Sequence, residues 1–108
     1  MKFLLLLLAT ASLFAAQDTR QSIAGVITES ECATANHSLM RMGNTDEECA
    51  KACVDSHGAA WMLFDGKVSW ALSDQKAPVQ FAGKRVVVSG VADAKAKTIT
   101  VESIAPAK

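Results

Sequence analysis

The stretch that decides the fold is Ala59–Leu72, which reads AAWMLFDGKVSWAL. Two runs with high strand propensity, 59–64 and 67–72, flank Asp65-Gly66, a dipeptide typical of a two-residue β-hairpin turn. In the second run apolar side chains alternate with polar or small ones, so one face is predicted to be buried. The apolar positions are Val68, Trp70 and Leu72. The stretch therefore predicts two paired antiparallel strands.

Three further strands are predicted on either side of this hairpin, at Ser22–Thr28, Arg85–Val91 and Thr98–Ile104. Gly25 in the first of them indicates a bulge or a close approach of two backbones. Residues 73–84 predict a loop with a short helical turn whose Phe81 plugs the interior, and the tail from Ala105 is predicted to fray. Five short strands in this order predict a mainly β protein, a small OB-like barrel.

One α-helix is predicted between strands one and two. Thr45-Asp46-Glu47-Glu48 is a capping box, in which the Thr45 hydroxyl accepts from the backbone of Glu48 while the Glu48 side chain reaches back. We therefore expect a helix from Asp46 to about His57, ended by Gly58. In OB-like barrels the loop between strands one and two helps to form the binding site, so 29–58 is the first place to look for function.

The amino-terminal segment has the pattern of a signal peptide. Lys2 precedes an apolar run, Phe3–Ala16, and polar residues follow it. The run is shorter than the ~20 residues that a spanning helix needs, so no stable membrane anchor is expected. We expect residues 1–16 to be removed, residues 17–108 to form a single OB-like domain, and the protein to be periplasmic or secreted.

Charge and motifs exclude several classes of function. The 108 residues carry 11 basic and 11 acidic side chains with no basic block, which argues against nucleic-acid binding. The sequence also lacks the Gly-x-Ser-x-Gly elbow, the His-Glu-x-x-His pair and a phosphate-binding glycine loop. We therefore expect a protein that is not an enzyme and whose partner is another protein or a metal ion.

Residues 31–58 contain all three cysteines and both histidines. On the predicted helix, Cys49, Cys53 and His57 are four residues apart and share one face. Cys32 and His37, from the preceding loop, are expected to close over that face. The candidate metal ligands are Cys32, His37, Cys49 and Cys53, a set suited to copper or zinc.

The same cysteines also have a structural interpretation, which the sequence favours. Two thiols of an exported protein normally pair. Cys49 and Cys53 are poorly oriented to bridge each other within a helix, so Cys32 is expected to pair with one of them. Such a disulfide would contribute about 3 kcal/mol and leave one thiol free. The first expected function is thus a structural or protein-interaction module with a disulfide-stapled Cys/His loop, and soft-metal binding is the alternative.

Most of the chain after the leader resembles a family of small exported bacterial proteins of uncharacterised function. The matching segments are Gly25–Cys32, the Cys49-x-x-x-Cys53 helix, Asp65–Val68, Leu72–Gln75 and Gly83–Gly90. The resemblance implies an exported barrel with these cysteines and brings no known activity with it.

A shorter segment is similar to the periplasmic copper- and silver-binding barrels of metal-efflux systems. Those proteins use a histidine and two methionines spaced Met-x-Met, with a tryptophan against the ion. His37, Met40 and Met42 match that grouping, with Trp61 or Trp70 as the ring. This resemblance implies a soft-metal role for the same loop.

Overall fold

The computed structural model describes residues 18–38 and 41–108, and its strands close into a five-stranded barrel. The strands are β1 (Asp18–Glu29), β2 (Trp61–Phe64), β3 (Ser69–Leu72), β4 (Arg85–Asp93) and β5 (Thr98–Pro106). Their order around the barrel is β1-β2-β3-β5-β4, and only the β3–β5 pair is parallel. One α-helix, α1 (Asp46–His57), lies between β1 and β2. The predicted mainly β, OB-like barrel with an inserted helix is confirmed.

The predicted signal peptide, residues 1–16, lies outside the described residues and stays a prediction. Within the described ranges, no helix combines the length and the apolar character needed to cross a membrane.

Strand β1 is longer than predicted because it pairs with two partners. Residues 18–26 pair with β4, from Asp18 opposite Asp93 to Val26 opposite Arg85, and residues 26–29 pair with β2. Gly25 lies next to the point where β2 joins. A Cβ atom there would lie 2.4 Å from the carbonyl oxygen of Phe64, so the predicted close approach of backbones is confirmed.

The hairpin of β2 and β3 is confirmed, but its loop spans 65–68 and is not the predicted two-residue turn. The Asp65 carboxylate explains the wider loop. It accepts hydrogen bonds from the backbone of Lys67 (2.8 Å) and Val68 (2.7 Å) and from the Trp70 indole (3.0 Å). These bonds, led by the one from Val68, lower the pKa of Asp65.

The carboxyl-terminal strands also extend beyond their predicted ends. Ala105 pairs with Val87 and Pro106 with Val86, so the tail does not fray at Ala105 as predicted. The reason is that β4 offers a long edge on which β5 continues. The short helical turn predicted before β4 is present at Ala77–Phe81, and Phe81 packs, partly buried, against the core.

Helix α1 packs against the barrel and is bounded as predicted. The Thr45 hydroxyl accepts from the backbone of Glu48 (3.1 Å), and Gly58 ends the helix with a φ of 68°. The Glu48 carboxylate bonds to the backbone of Asn44 (2.8 Å), one residue further back than the capping box predicts. The helix buries three side chains, and of these Ala50 joins the barrel core.

Candidate metal site

The loop between β1 and β2 leaves and re-enters the barrel at one point. Its two ends are joined by hydrogen bonds from Ser30 N to Ala60 O (2.9 Å) and from Ala60 N to Ser30 Oγ (3.0 Å). Just inside this junction a 3₁₀ turn, Ser30–Cys32, follows β1 directly. Residues of this turn belong to two separate clusters of side chains whose types can bind a metal ion.

The inner cluster consists of Glu29, Cys32 and His37, all of which are buried. One ligand atom of each residue lies within 4.8 Å of the other two. The exposed fractions are 0% for Glu29, 7% for Cys32 and 3% for His37. A carboxylate, a thiol and an imidazole therefore converge in a place that water barely reaches.

Glu29 is held rigidly by the 3₁₀ turn. Its carboxylate accepts from the backbone of Glu31 (2.7 Å) and of Cys32 (3.1 Å), one bond to each oxygen. Taking a charged carboxylate out of water is costly unless it is hydrogen-bonded or bound to a metal. Because each oxygen has more than one lone-pair direction, Glu29 retains capacity to bind a cation.

The imidazole of His37 is the least satisfied polar group of the cluster. Its Nδ1 atom is buried and has no hydrogen-bond partner within the described residues. Leaving a buried polar atom unpaired costs about 1–3 kcal/mol, so such atoms call for an explanation. A bound cation would provide one.

Ala35 makes the turn that brings His37 back over Cys32. Its φ of 60° lies in the left-handed region, and its backbone N–H bonds to Cys32 O at 2.8 Å. A residue with a Cβ atom is strained there by roughly 1–2 kcal/mol. The loop thus tolerates local strain next to the inner cluster, as functional loops often do.

Ala35→Gly should leave the fold intact and raise the free energy of unfolding by up to about 1 kcal/mol, because glycine relieves the left-handed strain. Urea unfolding measures this change. Ala33→Gly is the matched control: Ala33 has a φ of −61°, so glycine there should destabilise by about 0.5–1 kcal/mol. Equal destabilisation by both substitutions would contradict the described turn.

The outer cluster consists of Glu31, Cys53 and His57, whose ligand atoms also lie within 4.8 Å of one another. His57 Nδ1 and Glu31 Oε2 are 2.9 Å apart. A carboxylate only accepts, so Nδ1 carries the proton. The hydrogen bond from His57 is the main cause that lowers the pKa of Glu31, and a bond from the Cys53 thiol adds to it.

The three thiols differ in their surroundings. Burial, followed by the charge of Glu29, raises the pKa of Cys32. Burial, the charge of Glu29 and the bond to Glu31 raise the pKa of Cys53 to about 12. Cys49 Sγ donates to the carbonyl oxygen of Gly43 (3.2 Å) and lies in neither cluster.

The disulfide predicted between Cys32 and a helix cysteine is absent from the structure, where all three thiols are free and buried. The physical reason is that each sulfur faces a different partner. Cys32 faces Glu29 and His37, Cys53 faces Glu31, and Cys49 faces a loop carbonyl.

The structure therefore divides the predicted ligand set. Cys32 and His37 meet in the inner cluster, and Cys53 belongs to the outer one, with His57 from the same helix face. Met42 is 38% exposed, and Met40 lies outside the described residues. The two tryptophans suggested as ring partners, Trp61 and Trp70, are both members of the barrel core.

The sequence reasoning missed the two glutamates, Glu29 and Glu31. Both read as the polar start of a loop. A usable signal was present: Glu29 lies three residues before Cys32, the distance at which a side chain caps the first turn of a helix.

Comparison with known protein families finds a similarity over the second half of the chain. A family described as "Protein of unknown function (DUF5818)" matches residues 56–107. The matched segment covers β2 to β5, and of the two clusters it includes only His57. No curated protein and no solved structure matches the chain. Over its last four strands, the protein is thus similar to a family of unknown function.

Proposed function

We propose that the protein is an exported, non-enzymatic barrel, periplasmic or secreted, that binds a thiophilic metal ion in the inner cluster. The observation that carries the proposal is the His37 imidazole, which is buried, unpartnered at Nδ1 among the described residues, and adjacent to a thiol and a carboxylate. The proposal of export rests on the amino-terminal sequence pattern of residues 1–16.

The spacing of the inner cluster suits a small cation. A tetrahedral zinc ion with bonds of about 2.0–2.3 Å holds its ligands roughly 3.5 Å apart. The ligand atoms of Glu29, Cys32 and His37 lie within 4.8 Å of one another, so closing the site shortens each distance by at most about 1.3 Å. Side-chain rotation of Cys32 and His37 is sufficient for such a change, while Glu29 stays fixed to the turn.

The ligand types favour zinc over monovalent copper. Zinc accepts sulfur, nitrogen and carboxylate oxygen together, whereas monovalent copper prefers thiolate and thioether ligands. The fixed carboxylate of Glu29 is therefore the group that favours zinc over monovalent copper. Copper remains the second candidate, because the Cys32 thiol and the His37 imidazole are ligands that it also accepts.

Binding must displace the proton of the Cys32 thiol. Burial and the charge of Glu29 raise the pKa of this thiol, so at neutral pH the metal competes with a bound proton. A divalent cation offsets both causes of the raised pKa, because it neutralises the charge of Glu29 and stabilises the thiolate of Cys32. We expect affinity to fall as the pH is lowered, with release of a proton on binding.

The outer cluster supports the proposal that the protein is not an enzyme. Its acid, imidazole and thiol resemble the composition of a nucleophilic site, but the state of the thiol differs. Burial, followed by the charge of Glu29, raises the pKa of Cys53 to about 12, which keeps this thiol protonated. A reactive cysteine needs a lowered pKa and access to substrate, whereas Cys53 has an exposed fraction of 0%.

A structural or protein-interaction module is the second candidate function. It is favoured by hydrogen bonds that already fix the loop, namely Cys49 Sγ to Gly43 O (3.2 Å) and Ser69 Oγ to Ala33 O (2.6 Å). In this alternative the long loop presents a surface to a partner. A disulfide formed after export would then need Cys32 to leave the inner cluster.

The deciding experiment is zinc and copper titration of the mature protein, read by native mass spectrometry and calorimetry. His37→Ala should weaken binding at the inner cluster by at least about 100-fold, since loss of supporting partners alone costs 10–100-fold. Ser38→Ala, at an exposed neighbouring position, is the control and should bind as the wild type does.

The structural alternative makes the opposite prediction. A metal-free mass lower by two hydrogens, with one thiol open to alkylation, would establish the disulfide and contradict the metal site. Equal affinity in wild type and His37→Ala would also exclude the inner cluster.

A further inference from the structure

The geometry points to a second metal site: we propose that Glu31, Cys53 and His57 bind an exchangeable divalent transition-metal ion, for which Zn²⁺ is the probe. The proposal concerns the outer cluster, shares no residue with the inner one, and does not depend on metal binding there.

The three ligand types of the outer cluster converge on one carboxylate. His57 Nδ1 lies 2.9 Å from Oε2 and 3.2 Å from Oε1 of Glu31, and the Cys53 sulfur lies within 4.8 Å of both partners. A sulfur, a nitrogen and a carboxylate oxygen therefore meet in one place. Those three atoms are all ligands of zinc.

A divalent cation can replace the protons on these ligands without moving the backbone. The thiol proton leaves to solvent when the sulfur binds as thiolate. The Nδ1 proton of a charged His57 also leaves, while in a neutral ring the proton is carried on Nε2 instead. Glu31 and the thiolate together supply two negative charges, which balance the charge of the ion.

The position of the cluster on α1 favours a cation. His57 is the last residue of the helix and Cys53 is one turn before it. The carbonyl groups at a helix carboxyl terminus carry partial negative charge, which attracts cations within the last turn. The helix thus adds to the field of Glu31 and the thiolate.

The inner and outer clusters differ in the solvent exposure of their ligands. The side chains of His57 and Glu31 are 39% and 30% exposed, so water reaches two of the three outer ligands, while Cys53 is buried. Three protein ligands leave a fourth position for water, as in zinc sites that exchange ligands. The inner cluster is buried, so an ion there would exchange slowly, and one in the outer cluster quickly.

Zinc titration followed by native mass spectrometry tests the proposal, with cobalt as a spectroscopic substitute. The wild type should bind two ions, and His57→Ala should bind one, held by the inner cluster. Because each site contains one thiol, the cobalt–thiolate absorbance of His57→Ala should be half that of the wild type. Lys51→Ala is the control: it breaks the exposed pair with Glu47 on the same helix and should still bind two.

The two histidines keep the outcomes distinct. One ion in the wild type, unaffected by His57→Ala and lost in His37→Ala, would overturn the outer site alone. One ion lost only in His57→Ala would support the outer site and contradict the inner one, and no binding would overturn both. If His57→Ala fails to fold by circular dichroism, Glu31→Gln replaces it, because the amide keeps a hydrogen bond and removes the charge.

Discussion

Gly25→Val should destabilise the folded protein by more than about 3 kcal/mol. A Cβ atom on Gly25 would lie 2.4 Å from the carbonyl oxygen and 2.9 Å from the carbonyl carbon of Phe64, and both atoms belong to the backbone of β2. Backbone in a paired strand cannot move aside without breaking the barrel. The cost should exceed the 1–3 kcal/mol that is typical of overpacking, against a total stability of about 5–15 kcal/mol for a domain.

The matched control is Ala24→Val, one residue earlier in the same strand. Ala24 is exposed, and valine favours strands, so this variant should unfold within about 0.5 kcal/mol of the wild type. Urea unfolding followed by tryptophan fluorescence suits both variants, because both tryptophans are in the core. Similar stability of the two variants would show that β1 and β2 are not as close as described.

Stability of the metal-free protein should fall as the pH rises above about 9, through the Cys53 thiol. Its pKa is about 12 in the folded protein, compared with an ordinary value of 9.0. A raised pKa means that the folded state holds the proton more tightly than the unfolded state does. The contribution of this proton to the free energy of unfolding is therefore complete below pH 9 and is lost between pH 9 and 12. The loss should be on the order of 4 kcal/mol at most, at about 1.4 kcal/mol per pKa unit.

Cys53→Ala isolates this effect. The variant loses some packing at every pH, but it has no thiol to titrate, so its stability should change less between pH 9 and 12. The measured quantity is the difference in free energy of unfolding between wild type and variant, obtained in a chelating buffer at each pH. A difference that does not vary with pH would show that Cys53 titrates normally.

The barrel and its inserted helix could be predicted because the sequence patterns that indicate them are local. The capping residue Thr45, the terminating Gly58 and the alternation around Trp70 each act within a few residues. The loop of the hairpin was mispredicted because the carboxylate of Asp65 reaches two backbone amides and an indole, which widens the turn. The width of this loop depends on side-chain contacts, which the two-residue pattern Asp65-Gly66 does not specify.

The candidate site was predicted only in part, because burial is not a local property. The sequence identified Cys32 and His37, but Glu29 reads as an exposed residue until the 3₁₀ turn is known to place both of its amides on the carboxylate. The expected disulfide followed from counting thiols in an exported chain. It did not take into account that each sulfur has its own polar neighbour.

The hydrogen bonds between Ser30 and Ala60 make the residues between them a cassette whose two ends meet at one point of the barrel. Two hydrogen bonds join the ends of this segment, and among its described residues Ala50 belongs to the buried core cluster of the barrel and Val54 packs against it. The entropy of closing a loop grows only with the logarithm of its length. Insertions and deletions inside the cassette should therefore be tolerated by the strands, so ligand preference can change in evolution while the barrel remains the same.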